Sequence, residues 1–394
     1  MKSSPLAVSR CVRWTSLLAC AVALASCGPG ATSRVTARQA VSSRSPGAVS
    51  MQRAEPSKVA IDKRASLLTG LSCPGITCVA VGYYYAGSAV PHEVIDTWNG
   101  SDWQRQAPAG LPGDGALADV SCASSTSCLA VGSRVLAWNG TNWRLVASRG
   151  SSFSAASCVP GSCLAVGQRA SGRPAFAIWA SRRWRTGNLA LPRHRAQAVT
   201  VASVSCPSAS ICMAVGDYSY GAGAMPSPSY RDRTLAEAWT AAGWHVIRTV
   251  SPGPSAQLSA VSCIAPDDCT AVGSTARQFP LAERWNGRSW RAEPMPNPRG
   301  VGYTELTAVS CVSAATCVAV GNYQGLPVAY HWNGRSWRLR WLPRPPADQH
   351  SAGLSGVSCA QRLCMAVGDS GDGLSYAEQW NGVSWRLAAT PNPG

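Results

Sequence analysis

The chain has 394 residues, enough for one large repeat domain or two to three ordinary ones. Apolar residues make up 46%, so a sizeable core is available, while charged residues make up 14%, well below the usual quarter. Lys and Arg number 35 against 19 Asp and Glu, and the net charge of +16 favours anionic neighbours without choosing among lipid headgroups, wall polymers and nucleic acid.

The first element is a leader. Lys2, Arg10 and Arg13 precede an apolar run over 14–25, which is too short to span a membrane and has the length of a signal-peptide core. It ends in Leu24-Ala25-Ser26-Cys27, which resembles the lipobox of bacterial lipoproteins. That resemblance implies cleavage before Cys27 and lipidation of Cys27; the alternative is an ordinary cleaved signal with an incidental cysteine. Residues 1–26 are therefore read as a signal peptide. Residues 27–65 are read as a flexible basic tether without apolar periodicity. Export argues against a nucleic-acid partner.

From residue 66 to the end the chain repeats itself seven times. Each unit has an apolar lead into Ser-Cys, a second Cys five or six residues on, then x-Ala-Val-Gly, a variable segment, and two Trp five residues apart. The Cys pairs are Cys73/Cys78, Cys122/Cys128, Cys158/Cys163, Cys206/Cys212, Cys263/Cys269, Cys311/Cys317 and Cys359/Cys364. An even set at a repeated short spacing reads as a disulfide framework and calls for an oxidising compartment. Each bridge would contribute roughly 2 kcal/mol by chain entropy. No His accompanies the pairs, so metal is not expected.

Four short strands are predicted per unit, as at 306–311, 317–321, 327–332 and 336–341 in the sixth. Asn-Gly joins the last two strands in five units and predicts type I′ turns there. Units three and four lack it, and their hairpins are expected to be longer or looser. A period near 48 residues with four antiparallel strands predicts an all-β, seven-bladed β-propeller over 66–394, with one disulfide per blade. Both Trp of a pair fall on one sheet face, where they would pack blade against blade.

In such a meander the first-to-second and third-to-fourth turns share one end of the ring. The variable second-to-third segments and the inter-blade links share the other, and that face is where a binding site is expected. Its candidates are Tyr83, Tyr84 and Tyr85 in unit one, and Asp217, Tyr218, Tyr220, Tyr230, Arg231 and Arg233, beside Asp232, in unit four. Asp217 and Asp369 follow the Ala-Val-Gly strand directly and could converge as a carboxylate pair, with Glu93 and Asp372 near in sequence. Asp96, Glu237, Glu283 and Glu378 lie two residues before the first Trp and are expected to partner an indole N–H or a nearby Arg. No nucleophile, zinc or nucleotide motif is present, so no catalytic residue, metal or cofactor is assigned.

The repeats resemble those of exported bacterial β-propeller proteins of the S-C…C-x-A-V-G…W-N-G-x-x-W type. The resemblance covers 66–394 and carries architecture, not activity. The expected function is a non-catalytic, monomeric scaffold, secreted or held by a lipid anchor at the outer side of the cytoplasmic membrane. It would recognise a protein or an anionic cell-envelope polymer. A lectin-like propeller and, behind it, a wall-polymer hydrolase or lyase are the alternatives.

Overall fold

The computed structural model describes residues 66–85, 90–106, 114–147, 150–192, 196, 198–220, 231–276, 279–298, 302–345, 351–361 and 363–392. The leader, Cys27, the tether and Tyr230 lie outside these residues. The described chain forms twenty-eight strands in seven four-stranded antiparallel sheets. Each sheet takes its strands in chain order from one repeat: residues 66–106, 117–147, 151–188, 198–247, 256–293, 304–341 and 352–388. This is the expected seven-bladed β-propeller, with no helix among the described residues.

The two repeated marks of the sequence form one straight row across each blade. In blade six Cys311 pairs with Cys317, Cys317 with Trp332, and Trp332 with Trp337. All seven disulfides are formed, with Cα atoms 4.0–4.1 Å apart. The paired indoles lie 5.5–6.4 Å apart between ring centroids. Successive residues of a strand point to opposite faces, so C-x-A-V-G divides cleanly. Cys317 and Ala319 join the cluster formed with blade five, whereas Val318 and Val320 join the cluster formed with blade seven. Both sheet faces are therefore buried, and seven such clusters make the core.

The cysteines of one pair are not equivalent. The second of each pair, Cys78, Cys128, Cys163, Cys212, Cys269, Cys317 or Cys364, is buried in the core. It lies on the alanine face of the second strand and packs against the preceding blade, as Cys78 does with Met365 and Val367, and Cys128 with Val81 and Ile95. Cys163, Cys269 and Cys364 sit likewise in the clusters shared with blades two, four and six. The first of each pair is half-buried, except Cys206, which is also buried. Each bridge therefore ties its hairpin to an inter-blade interface, and its buried sulfur adds apolar contact to the constraint on the unfolded chain.

The glycine of Ala-Val-Gly has a steric reason. The first strand of every blade carries a register shift three to five residues before its Cys, as between Leu306 and Ala308. The bulge brings that strand onto the second, and a Cβ on Gly321 would overlap the carbonyl oxygen of Glu305. The bulged residue is used as well. Thr69 donates to Leu117 O of the next blade at 2.8 Å, and Ser154 to Val201 O at 2.6 Å.

The Ser-Cys dipeptide closes the ring. The amide of each first Cys donates to the hydroxyl of the Ser that precedes the first Cys of the blade before it, at 2.9–3.0 Å. The seventh such bond runs from Cys73 N to Ser358 Oγ at 3.0 Å, joining blade one to blade seven. The closing interface is otherwise ordinary. Leu68, Val94, Trp98 and Trp103 pack with Met365, Val367 and Ala377. Ser66 N donates to Gly373 O at 2.7 Å, and Arg105 reaches Pro391 O. Closure is by blade-to-blade packing, each sheet keeping its own four strands.

Two turn expectations are corrected. In the Asn-Gly units only the glycine has positive φ, from 84° at Gly287 to 108° at Gly100. Asn99 Oδ1 instead accepts from Ser101 N at 2.8 Å and Asp102 N at 2.9 Å, making a four-residue Asx-stabilised loop between the two Trp. Units three and four are tighter, not looser. Ala180 pairs with Arg183 across Ser181 and Arg182, whose φ angles of 50° and 59° are those of a type I′ turn. Thr240 pairs with Gly243 across two alanines.

Replacing Ser310 by Ala removes one acceptor and should lower unfolding free energy by about 1 kcal/mol, read from the urea midpoint. Gly321→Ala should cost visibly more, because backbone must move. Equal losses in the two variants would contradict these assignments.

Candidate functional site

The variable face is built from ribbons. In blade four the second strand, Ile211–Tyr220, and the third, Arg231–Thr240, stay paired out to Tyr220 and Arg231. Asp217, Tyr218, Tyr220, Arg231 and Arg233 thus stand on paired strands where the sequence suggested a loop. In blade one Tyr83, Tyr84 and Tyr85 pair with Glu93, His92 and Pro91. Blade two shows the minimum, turning directly after Val131 pairs with Val135. β-Branched and aromatic residues past the glycine sustain the longer pairing.

These residues divide into packing and presentation. Tyr84 stacks on His92 at 5.1 Å and packs into the blade seven–blade one cluster. Tyr218 packs against the core cluster between blades three and four. Tyr85 lies edge-on to Tyr83 at 5.7 Å. The Tyr83 phenol is pushed up to about 12, first by burial and then by Tyr85 and Asp369. Arg233 donates from Nε and Nη2 to Tyr220 Oη, both at 3.1 Å, with its guanidinium 5.6 Å from that ring. Arg231 is exposed beside them. Blades two and three separate the two ribbons, so the face carries two patches.

The carboxylates do not assemble into one group. Asp217 and Asp369 belong to blades four and seven, which are not neighbours. Burial, and then the charge of Asp232, pushes Asp217 up to about 7. Burial alone takes Asp369 to about 6. Asp232 accepts from Ser219 and Ser255 hydroxyls, each at 2.8 Å. Glu93 is held by Arg134 of blade two at 3.1 Å, and Asp372 accepts from Ser370.

The four acids before the first Trp are fully buried. Asp96 takes Arg105 Nε at 2.6 Å, as one expectation had it. Glu237 and Glu283 do not meet an indole. They accept backbone amides of the preceding inter-blade link, Ala190 N at 2.9 Å and Val250 N at 3.2 Å, because the link passes directly over the blade's third strand. Each donor lies six residues after the second Trp of the blade before. At that place before blade seven stands Pro343, which has no N–H. Both Glu378 oxygens are accordingly without a hydrogen bond, and burial pushes the acid up to about 8. His331 is the reverse case. It accepts from Trp385 Nε1 at 3.1 Å, and burial, then Arg340, lowers it to about 4.

No protein-family model matches the chain, and no curated protein matches it. Solved structures match over most of its length. YCF48 from Cyanidioschyzon merolae is 13% identical, over 80% of this chain and 96% of that one, with a TM-score of 0.52. The β-propeller domain of the Trilobed protease from Pyrococcus furiosus, described as having an open velcro topology, is 8% identical over 82% and 95%, with a TM-score of 0.51. A chain of the mitotic checkpoint complex is 11% identical over 91% and 99%, with a TM-score of 0.51. At these identities the likeness is one of fold.

The acid at Glu378 has a definite pH signature. Its folded pKa lies above the unfolded one, so its contribution to stability is complete below about pH 4.5 and is lost as pH rises towards 8. His331, lowered in the fold, loses stability in the opposite direction, as pH falls from about 6.5 to 4. The two windows overlap, so the opposing slopes offset one another between about pH 4.5 and 6.5, and melting temperature should fall on either side of that plateau. Glu378→Gln should match the wild type near pH 5 and exceed it at pH 8; an unchanged alkaline slope would remove Glu378 as its source.

Proposed function

We propose that the propeller is a non-catalytic binding scaffold that works outside the reducing cytoplasm and takes a protein or an anionic polymer of the cell envelope on its ribbon face. The observation that carries this reading is the unequal build of the two ends of the ring. The disulfide end carries short turns in all seven blades, whereas the other raises two paired ribbons of different length, with Tyr220, Arg231 and Arg233 on one and Tyr85 on the other. Tyr and Arg are the residues that anchor recognition surfaces, and a paired ribbon presents them with little entropy left to lose.

Seven disulfides suit an oxidising environment. Attachment through a lipid on Cys27, with residues 28–65 as a basic spacer beside an anionic membrane, completes the proposal. Separation of Asp217 from Asp369 and the neutralisation of Glu93 by Arg134 favour binding over catalysis.

The test is affinity capture from intact envelopes by the wild type and by a Tyr220→Ala/Arg231→Ala/Arg233→Ala variant with an unchanged melting temperature. Loss of a buried anchor of about 2 kcal/mol predicts roughly thirtyfold less partner retained. A polymer partner would also be released by salt, and a protein held by apolar contacts much less. Equal recovery by both proteins would reject this surface.

A further inference from the structure

A cavity of about 210 Å³ opens between blades two and three on the ribbon face. The sequence explains why it is there. The residues four and two before the first Trp fill each blade interface on the side of the preceding blade. They are Val94 and Asp96, Arg134 and Leu136, Leu235 and Glu237, Leu281 and Glu283, Val328 and Tyr330, and Tyr376 and Glu378. Blade three has Ala175 and Ala177 in these places. Ala177 pairs with Thr186, which lines the cavity, and shares a cluster with Val135 and Phe153, which also line it.

The cavity lining combines apolar and polar side chains. Val135 and Phe153 are buried, and the Trp184 ring stands edge-on to Phe153 at 5.4 Å. Ser151, Thr186 and Arg169 supply the polar part of the lining. Asn188 Oδ1 accepts from Arg169 Nε at 3.1 Å and so fixes the plane of that group. Of the three guanidinium nitrogens of Arg169, Nε alone is hydrogen-bonded among the described residues. A volume of this size equals about seven waters, which an aromatic ring with a short tail would occupy.

We propose that this inter-blade cavity binds a small apolar carboxylate, with its hydrocarbon body against Phe153, Trp184 and Val135 and its carboxylate on Arg169. Desolvated apolar surface supplies the affinity, and the oriented guanidinium selects a planar anion. The carboxylate can belong to a free acid or to the last residue of a polypeptide. This site lies apart from the ribbons of blades one and four and does not depend on them.

Calorimetric titration of the disulfide-bonded protein with hydrocinnamate, N-acetylphenylalanine and N-acetylphenylalaninamide tests it. The acids should bind about tenfold or more tightly than the amide. Hydrocinnamate alone would identify a free acid as the ligand; N-acetylphenylalanine binding as well would identify a chain terminus. Arg169→Gln should weaken acid binding about tenfold. Ala177→Leu places in blade three the residue blade two already has, and should abolish binding with the melting temperature kept or raised. Failure of both acids to bind, equal binding of the amide, or undiminished binding by either folded variant would overturn the proposal.

Discussion

Seven hydrogen bonds between a Ser hydroxyl and the Cys amide of the following blade hold the inner strands in one closed circle. The register of the Cys pair makes them possible. The two Cys face each other with Cα atoms about 4 Å apart, the close spacing of a pair that does not exchange backbone hydrogen bonds. The amide of the first Cys therefore points away from its own sheet, towards the free inner edge. There the preceding blade supplies the Ser. An edge that would otherwise offer unpaired amides becomes the seam of the ring. Each bond is worth only about 1 kcal/mol, but an unsatisfied amide costs more, and one missing blade would leave one amide and one Ser hydroxyl without partners.

Everything outward of that seam follows from alternation. One face of each blade carries the Cys, Ala and Trp row, and the other carries the valines of Ala-Val-Gly, so every interface sets bulky indoles against small aliphatics. The fourth strands are short outer edges with exposed Arg144, Arg185, Arg291, Arg338 and Arg386, charges that discourage edge-to-edge pairing. With both faces and both edges committed, variation in length is concentrated at the ribbon end. There the chain lengthens blades one and four and leaves blade three underfilled.

The blade count, the disulfides and the shared face of the Trp pairs were readable because they repeat, and a feature repeated seven times must satisfy the same local geometry seven times. Ser310 and its equivalents repeated as well, yet their role was hidden, since their partners lie roughly 49 residues away on another sheet. The same distance hid the packing of Cys78, Cys128, Cys163, Cys269 and Cys364 against the blade before. Asn-Gly misled, because the Trp pairing sets a four-residue loop there and the tight turns went to Ser181-Arg182 and Ala241-Ala242. Tyr84 and Tyr218 read as presented side chains and turned out to be packed ones, since strand pairing continues past the glycine. The cavity was legible only as missing bulk at Ala175 and Ala177, and the lone state of Glu378 only through Pro343.

Native-state hydrogen exchange at the seven first-Cys amides tests the closed seam most directly. The account predicts that Cys73, Cys122, Cys158, Cys206, Cys263, Cys311 and Cys359 are all protected and exchange together at the rate of global unfolding. Rapid exchange at Cys73 with protection at the other six would show a ring open between blades seven and one, and would contradict it.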